Sequence, residues 1–184
     1  MATRAQWIAA GVVAGVAALG ITAAVLLAPE VNQVTVGSSA PGFRVTALAN
    51  QDTVAPLEKY KGQIMLVNIW ATWCQPCEAE MPSMQKLYEA MGPKGLKIVS
   101  VSIDKDPPDE VQAWLTKRHL TFEVWQDQSG NIQQTYQTTG VPESFILDRN
   151  GVIVKKVIGA IEWTEPGTEA LLTRLLEQRT NADR

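Results

Sequence analysis

The chain has 184 residues, enough for one domain with a sizeable core plus an appendage. Apolar residues make up 46% and the formal net charge is −3, with no Lys/Arg run beyond the short Lys117-Arg118-His119. That balance excludes a disordered chain and argues against a nucleic-acid partner. Two cysteines separated by two residues exclude a stapled secreted scaffold. With the single His119 they fall short of a closed four-ligand zinc site, so no metal is expected.

In chain order, the first feature is apolar. No charge occurs from Ala5 to Ala28, and the run from Trp7 is interrupted only by glycines and Thr22. As a helix, roughly 22 such residues extend about 33 Å, enough for a hydrocarbon core of about 30 Å. Arg4 precedes the run and Pro29-Glu30 follow it, which favours a cytoplasmic N-terminus. A cleavable signal would be shorter, and Ala28-Pro29 is a poor cleavage point. The expectation is therefore residues 1–6 in the cytoplasm, 7–28 an uncleaved transmembrane signal-anchor in the lipid bilayer, 29–35 a tether, and 36–178 an exported domain. Residues 179–184 would be a tail. The exported side is where a vicinal cysteine pair can cycle.

Within the domain, Phe43–Leu48 and Thr53–Leu57 flank Asn50-Gln51-Asp52 as a hairpin. Ile64–Trp70 is a nearly continuous apolar run, the pattern of a strand buried on both faces. Glu78–Met91 has helical spacing, with Met81, Met84, Leu87, Tyr88 and Met91 along one side as core, and Gly92-Pro93 stops it. Leu96–Ile103 reads as a strand, Pro107–His119 as a helix and Phe122–Trp125 as a short strand. A loop with one helical turn covers Asp127–Thr139. Ser144–Leu147 and Val152–Ile158 pair around Asp148-Arg149-Asn150-Gly151, and Glu165–Gln178 closes the domain as an amphipathic helix. Strands alternating with helices and ending in a hairpin predict an α/β fold with a central mixed sheet flanked by helices.

Cys74-Gln75-Pro76-Cys77 falls where a strand gives way to a helix. Residues three apart on a helix have Cβ atoms about 5–6 Å apart, so the thiols can close a disulfide. Unpaired N–H groups and the dipole at a helix N-terminus stabilise a thiolate on the first cysteine. Cys74 is thus the expected exposed nucleophile and Cys77 the buried resolving thiol, with Pro76 tolerated in the first turn. A purely structural disulfide across so short a loop would stabilise little. The redox-active disulfide is the chemistry itself, and no other cofactor is called for. Trp70 belongs to the core, whereas Trp73 precedes the nucleophile and frames the site.

The segment from Trp70 to Pro82, which contains Cys74, Cys77 and Glu80, resembles the active-site segment of the TlpA/ResA/CcmG (DsbE) family. The similarity runs from about Val36 to Leu176 and includes Gly140-Val141-Pro142-Glu143-Ser144-Phe145-Ile146-Leu147-Asp148. The resemblance implies a thioredoxin fold with an added N-terminal β-hairpin, anchored in the membrane with its catalytic domain in the periplasm or outside the cell. It implies a cis Val141-Pro142 bond against the cysteines, whose backbone offers N–H and C=O groups to an extended substrate. It also implies a site role for Glu80, three residues after Cys77. Glu143 is either a substrate contact or a salt-bridged surface carboxylate.

The function so implied is reduction of disulfides in exported proteins such as apocytochrome c, in cytochrome c maturation. Electrons would come from a membrane thiol transporter of DsbD/CcdA type. A TlpA-like role, as thiol reductant or copper-handling protein in oxidase assembly, fits the same residues. A peroxiredoxin-type peroxidase fits poorly, because Val67 and Ala71 stand where its threonine-containing motif would lie. A Cu(I) metallochaperone would call for further thiol or methionine ligands.

Overall fold

The computed structural model describes residues 33–48 and 54–178, with positions 3, 4, 6, 7, 13, 15, 17–20 and 22 nearer the N-terminus. The chain divides into a unit of residues 1–32 and a unit of residues 33–184. In the first, the described positions from Arg4 to Thr22 are helical, and Trp7, Val13 and Leu19 stand exposed. Among the described residues no helix is long and apolar enough to cross a membrane. The expected 7–28 span lies largely outside them.

Among the described residues of the second unit there are seven strands: β1 Arg44–Ala47, β2 Val54–Pro56, β3 Ile64–Trp70, β4 Leu96–Ser102, β5 Val124–Gln126, β6 Glu143–Leu147 and β7 Ile153–Ile158. They form one sheet in the order β2-β1-β5-β4-β3-β6-β7. The three strands β3, β4 and β5 are parallel; β6 and β1 join them antiparallel at either side, and β7 and β2 pair antiparallel with β6 and β1 in turn. The mixed sheet expected from the alternating pattern is present. Every residue of β3 is buried, as its nearly continuous apolar run predicts, Asn68 included.

The described residues of this unit also form four helices: α1 Gln75–Met91, α2 Pro108–Lys117, α3 Asn131–Thr135 and α4 Pro166–Glu177. Helix α1 starts three residues earlier than its apolar spacing suggests, because Cys74 caps it. Its stripe Met81, Met84, Leu87 and Met91 is buried, each side chain contributing about 1.5–3 kcal/mol. Tyr88 lies at the margin, edge-on to Phe122. The chain past Gly92 does not unwind at once: Gly92–Lys94 make a 3-10 turn, ended by Gly95 at φ 107°. Likewise Leu57–Tyr60 form a 3-10 turn after β2, with Leu57 and Tyr60 buried.

Register decides what meets across the sheet. Asn68 of β3 lies opposite Ser100 of β4 and Ser144 of β6, so these three polar side chains form one row on one face. The neighbouring position, Val67 opposite Phe145, faces the other way, and there Tyr136 packs edge-on to Phe145 at 4.9 Å and to Phe43 at 5.6 Å. On the Asn68 face, Trp70 stacks tilted on Trp114 of α2 at 5.0 Å, and Arg118 covers that ring at 3.7 Å. His119, which follows, sits at the helix end with φ 55°.

Candidate active site

β3 ends at Trp70, and three residues carry the chain to Cys74, the N-cap of α1, in extended conformation at φ −89° and ψ 102°. Cys74 N–H donates to the Ala71 carbonyl at 3.2 Å, and the Cys77 N–H donates to Cys74 Sγ at 3.2 Å. The sulfur thus takes the capping place that Ser or Asp fills elsewhere, and the helix dipole points its positive end at it. Cys74 and Cys77 are joined in a disulfide with Cα atoms 5.2 Å apart. Cys77 is fully buried, one turn in.

Cys74 is less open than the motif suggests, at 5% exposed. Helix position alone would leave it in solvent. The loop before β6 covers it: the Val141–Pro142 peptide bond is cis, and the Val141 carbonyl lies 3.5 Å from Cys74 Sγ. A disulfide sulfur carries no proton, so this is a packing contact that a reduced Cys74 thiol could turn into a hydrogen bond. Pro142 is buried, and its carbonyl accepts the Gly159 N–H at 2.9 Å, continuing the β6–β7 register. Of the backbone groups expected to be open to a substrate strand, the Pro142 carbonyl is therefore already used. Trp73 is 66% exposed and forms part of an open groove of about 780 Å³, lined also by Ile103, Lys105, Gln133, Gln134 and Thr138.

Glu80 is only 2% exposed, so it is not a solvated surface carboxylate. Asn68 Nδ2 donates to its Oε1 at 3.0 Å, while Trp163 Nε1 and the Ile161 N–H donate to its Oε2 at 3.2 and 3.4 Å. Asn68 also donates to Ser144 Oγ at 2.9 Å and accepts from Ser100 Oγ at 3.2 Å, completing the polar row under α1. Burial pushes the Glu80 carboxyl up to about 7, against the opposing pull of its three donors. At neutral pH it can therefore take or give a proton one helical turn from Cys77.

Glu143 lies on the opposite face of the sheet, in register with Ile69 and Ile158. It is salt-bridged, as one of the two sequence readings has it, but it is no surface group: it is 1% exposed, with Lys156 Nζ 2.9 Å from Oε1 and the Thr139 N–H donating to Oε2 at 3.3 Å. It ties down the loop that carries Val141 and Pro142. Lys156 also donates to the Val34 carbonyl at 3.4 Å, so the segment entering the domain is fastened to the same loop. Stripping this buried carboxylate of its ammonium is costly: Lys156→Met is expected to lower unfolding stability by about 3 kcal/mol in urea titrations. Adding Glu143→Gln should restore most of that loss.

Several site residues escape a sequence reading. Asn68 had a signal, a lone amide inside an apolar strand, which must find partners once buried. Trp163, Ile161 and Lys156 had none, since their roles depend on which distant element they meet.

A dithiol–disulfide at a helix N-terminus, faced by a cis-proline loop on a mixed sheet, defines a thiol–disulfide oxidoreductase of thioredoxin fold. The Redoxin family matches residues 35–172. The thiol-disulfide oxidoreductase ResA of Bacillus thuringiensis subsp. konkukian is 35% identical over 141 residues, 76% of this chain and 78% of that protein. ResA of Geobacillus thermodenitrificans is 33% identical over 145 residues, 79% of this chain and 82% of that one. Among solved structures, a thiol:disulfide interchange protein DsbE from Chlorobium tepidum superposes with TM-score 0.69 at 26% identity, covering 77% of this chain and 98% of its own. StoA from Bacillus subtilis does so with TM-score 0.58 at 26% identity, covering 73% and 96%. The chain belongs to the Redoxin family, in its ResA/CcmG-like branch.

Proposed function

We propose that this protein reduces disulfides in exported proteins from a membrane-held position outside the cytoplasm, with apocytochrome c as the substrate class in cytochrome c maturation. The observation that carries the direction of the chemistry is the buried Glu80 carboxyl on the dithiol helix, one turn after Cys77. Once ionised, it disfavours a second negative charge nearby, raises the thiol pKa values and makes the dithiol a stronger reductant. The Cys74 thiolate attacks the substrate disulfide, forming a mixed disulfide and releasing one substrate thiolate. Cys77, giving its proton to Glu80, then attacks Cys74 sulfur, closes the internal disulfide and frees the second substrate thiol. Two electrons leave the protein in this turnover, and a membrane thiol transporter of DsbD/CcdA type returns them.

The groove lined by Trp73, the residue before Cys74, is read as the place where a substrate chain lies, and the Val141 backbone beside Cys74 Sγ as the strand it would meet. The antiparallel β1–β2 pair is read as the family's added N-terminal hairpin. The uncharged 7–28 run is read as the anchor, and the exposed Trp7, Val13 and Leu19 on helical backbone suit an apolar surrounding.

The test is capture in cells. With Cys77→Ala, proteins bearing a C-x-x-C-H motif should remain disulfide-linked to Cys74 and be identified by mass spectrometry. Recovery of a copper-delivery protein in their place would move the substrate to oxidase assembly. Recovery of no exported protein, from cells in which Cys74 is reduced, would overturn the reading.

A further inference from the structure

Asp104, just past the end of β4, is fully buried, and no salt bridge reaches it among the described residues. The dithiol chemistry above does not use it. Its carboxylate is nevertheless fully engaged. Thr72 Oγ1 donates to Oδ1 at 2.7 Å, Ser102 Oγ donates to Oδ2 at 2.6 Å, and the Thr72 N–H is shared between Oδ1 and Oδ2 at 3.2 and 3.0 Å. The Asp104 backbone is held as firmly. Its N–H donates to Ser102 Oγ at 3.0 Å, and its carbonyl accepts from Gln126 Nε2 at 3.0 Å. The preceding Ile103 N–H donates to the Trp70 carbonyl at 2.9 Å. The ends of β3, β4 and β5 are thus tied together at Ile103 and Asp104.

Thr72 lies two residues before Cys74, inside the short connection from β3 to α1. That connection has one internal backbone hydrogen bond among those described, from Cys74 to Ala71. The place of Cys74 Sγ, 3.2 Å from the Cys77 amide and 3.5 Å from the Val141 carbonyl, therefore depends on where Thr72 is held. We propose that Asp104 and Thr72 form a clamp that positions Cys74 at the helix N-terminus and so sets its reactivity. Asp104 and Thr72 are positioning residues: neither touches the reacting sulfur. With the clamp weakened, the Ala71–Trp73 connection gains freedom. The sulfur then spends less time against the amides that stabilise its thiolate.

The inference rests on the reading of Cys74 as the attacking thiol, and the experiment separates the two. The reduced protein is alkylated with iodoacetamide near neutral pH, with the modified cysteine mapped by mass spectrometry and folding followed by circular dichroism. Thr72→Val keeps the branched shape and the N–H but removes the Oγ1 donor. Its Cys74 alkylation rate should fall about fivefold, the equivalent of one charge-assisted hydrogen bond partly lost. Thr72→Ser, which keeps the donor, should restore the rate to within about twofold. If Thr72→Val does not fold, Ser102→Ala removes the other hydroxyl donor to Asp104 and should slow Cys74 in the same direction. A folded Thr72→Val alkylated as fast as the parent overturns the clamp, even if its melting temperature drops. Faster labelling of Cys77 than Cys74 in the parent would remove the nucleophile assignment and the clamp with it.

Discussion

If Cys74 is the attacking thiol, as proposed, Cys74→Ala is expected to reduce turnover of a protein disulfide by on the order of a thousandfold or more, to the background of free thiols. Cys77→Ala should lose steady-state turnover as completely, but by a different route. Its first step is intact, so the enzyme stops as a mixed disulfide on Cys74, visible as a mass increase on non-reducing electrophoresis with a C-x-x-C peptide disulfide. The difference follows from position. Cys74 Sγ sits at the helix N-terminus under the Val141 carbonyl, whereas Cys77 is sealed one turn deeper. Equal trapping by both single variants would mean that the two sulfurs exchange roles and that burial does not order them.

The second large effect concerns Glu80 and pH. Burial, the largest cause, lifts its carboxyl from 4.5 to about 7, and the hydrogen bonds from Ile161, Trp163 and Asn68 only partly offset that. The folded protein therefore holds this proton more tightly than the unfolded chain does. The stability so gained is fully present below about pH 4.5 and is lost as pH rises through about 7. At about 1.4 kcal/mol per pH unit, the gap is on the order of 3 kcal/mol. Urea unfolding of the oxidised protein across this range should show the parent falling relative to Glu80→Gln by that amount as pH rises. Two parallel stability curves would mean that Glu80 is solvated in solution. Above pH 7 the same substitution removes the negative charge beside the thiols. It should lower their pKa values and make the reduction potential less negative, by about 30 mV for each unit by which the pKa of the pair changes. It should also slow reduction of a substrate disulfide.

Much of the fold was legible because its signals are local. β3 stands at Ile64–Trp70, where an apolar run interrupted only by Asn68 had placed it, and the four methionine and leucine positions of α1 face the core at helical spacing. Element ends were less legible where a cap decided them. α1 begins at Gln75 because the Cys74 sulfur, not a hydroxyl or carboxylate, takes the N-cap place. β2 gives way to a 3-10 turn at Leu57 because Leu57 and Tyr60 are drawn into the core.

The chemistry of the dithiol belongs to the sequence. Four consecutive residues put two sulfurs on adjacent turns at a strand-to-helix junction, and that proximity follows from helix geometry wherever the segment sits. The environment of the dithiol does not. Whether Glu80 is a solvated carboxylate or a buried proton carrier depends on Trp163, 83 residues away, and on Ile161, 81 residues away. Whether Glu143 meets a substrate or anchors a loop depends on Lys156, its diagonal neighbour across β6 and β7. The exposure of Cys74 depends on a carbonyl 67 residues distant. Desolvation is a property of everything that surrounds a group, and those surroundings exist only when strands far apart in the chain have come into register.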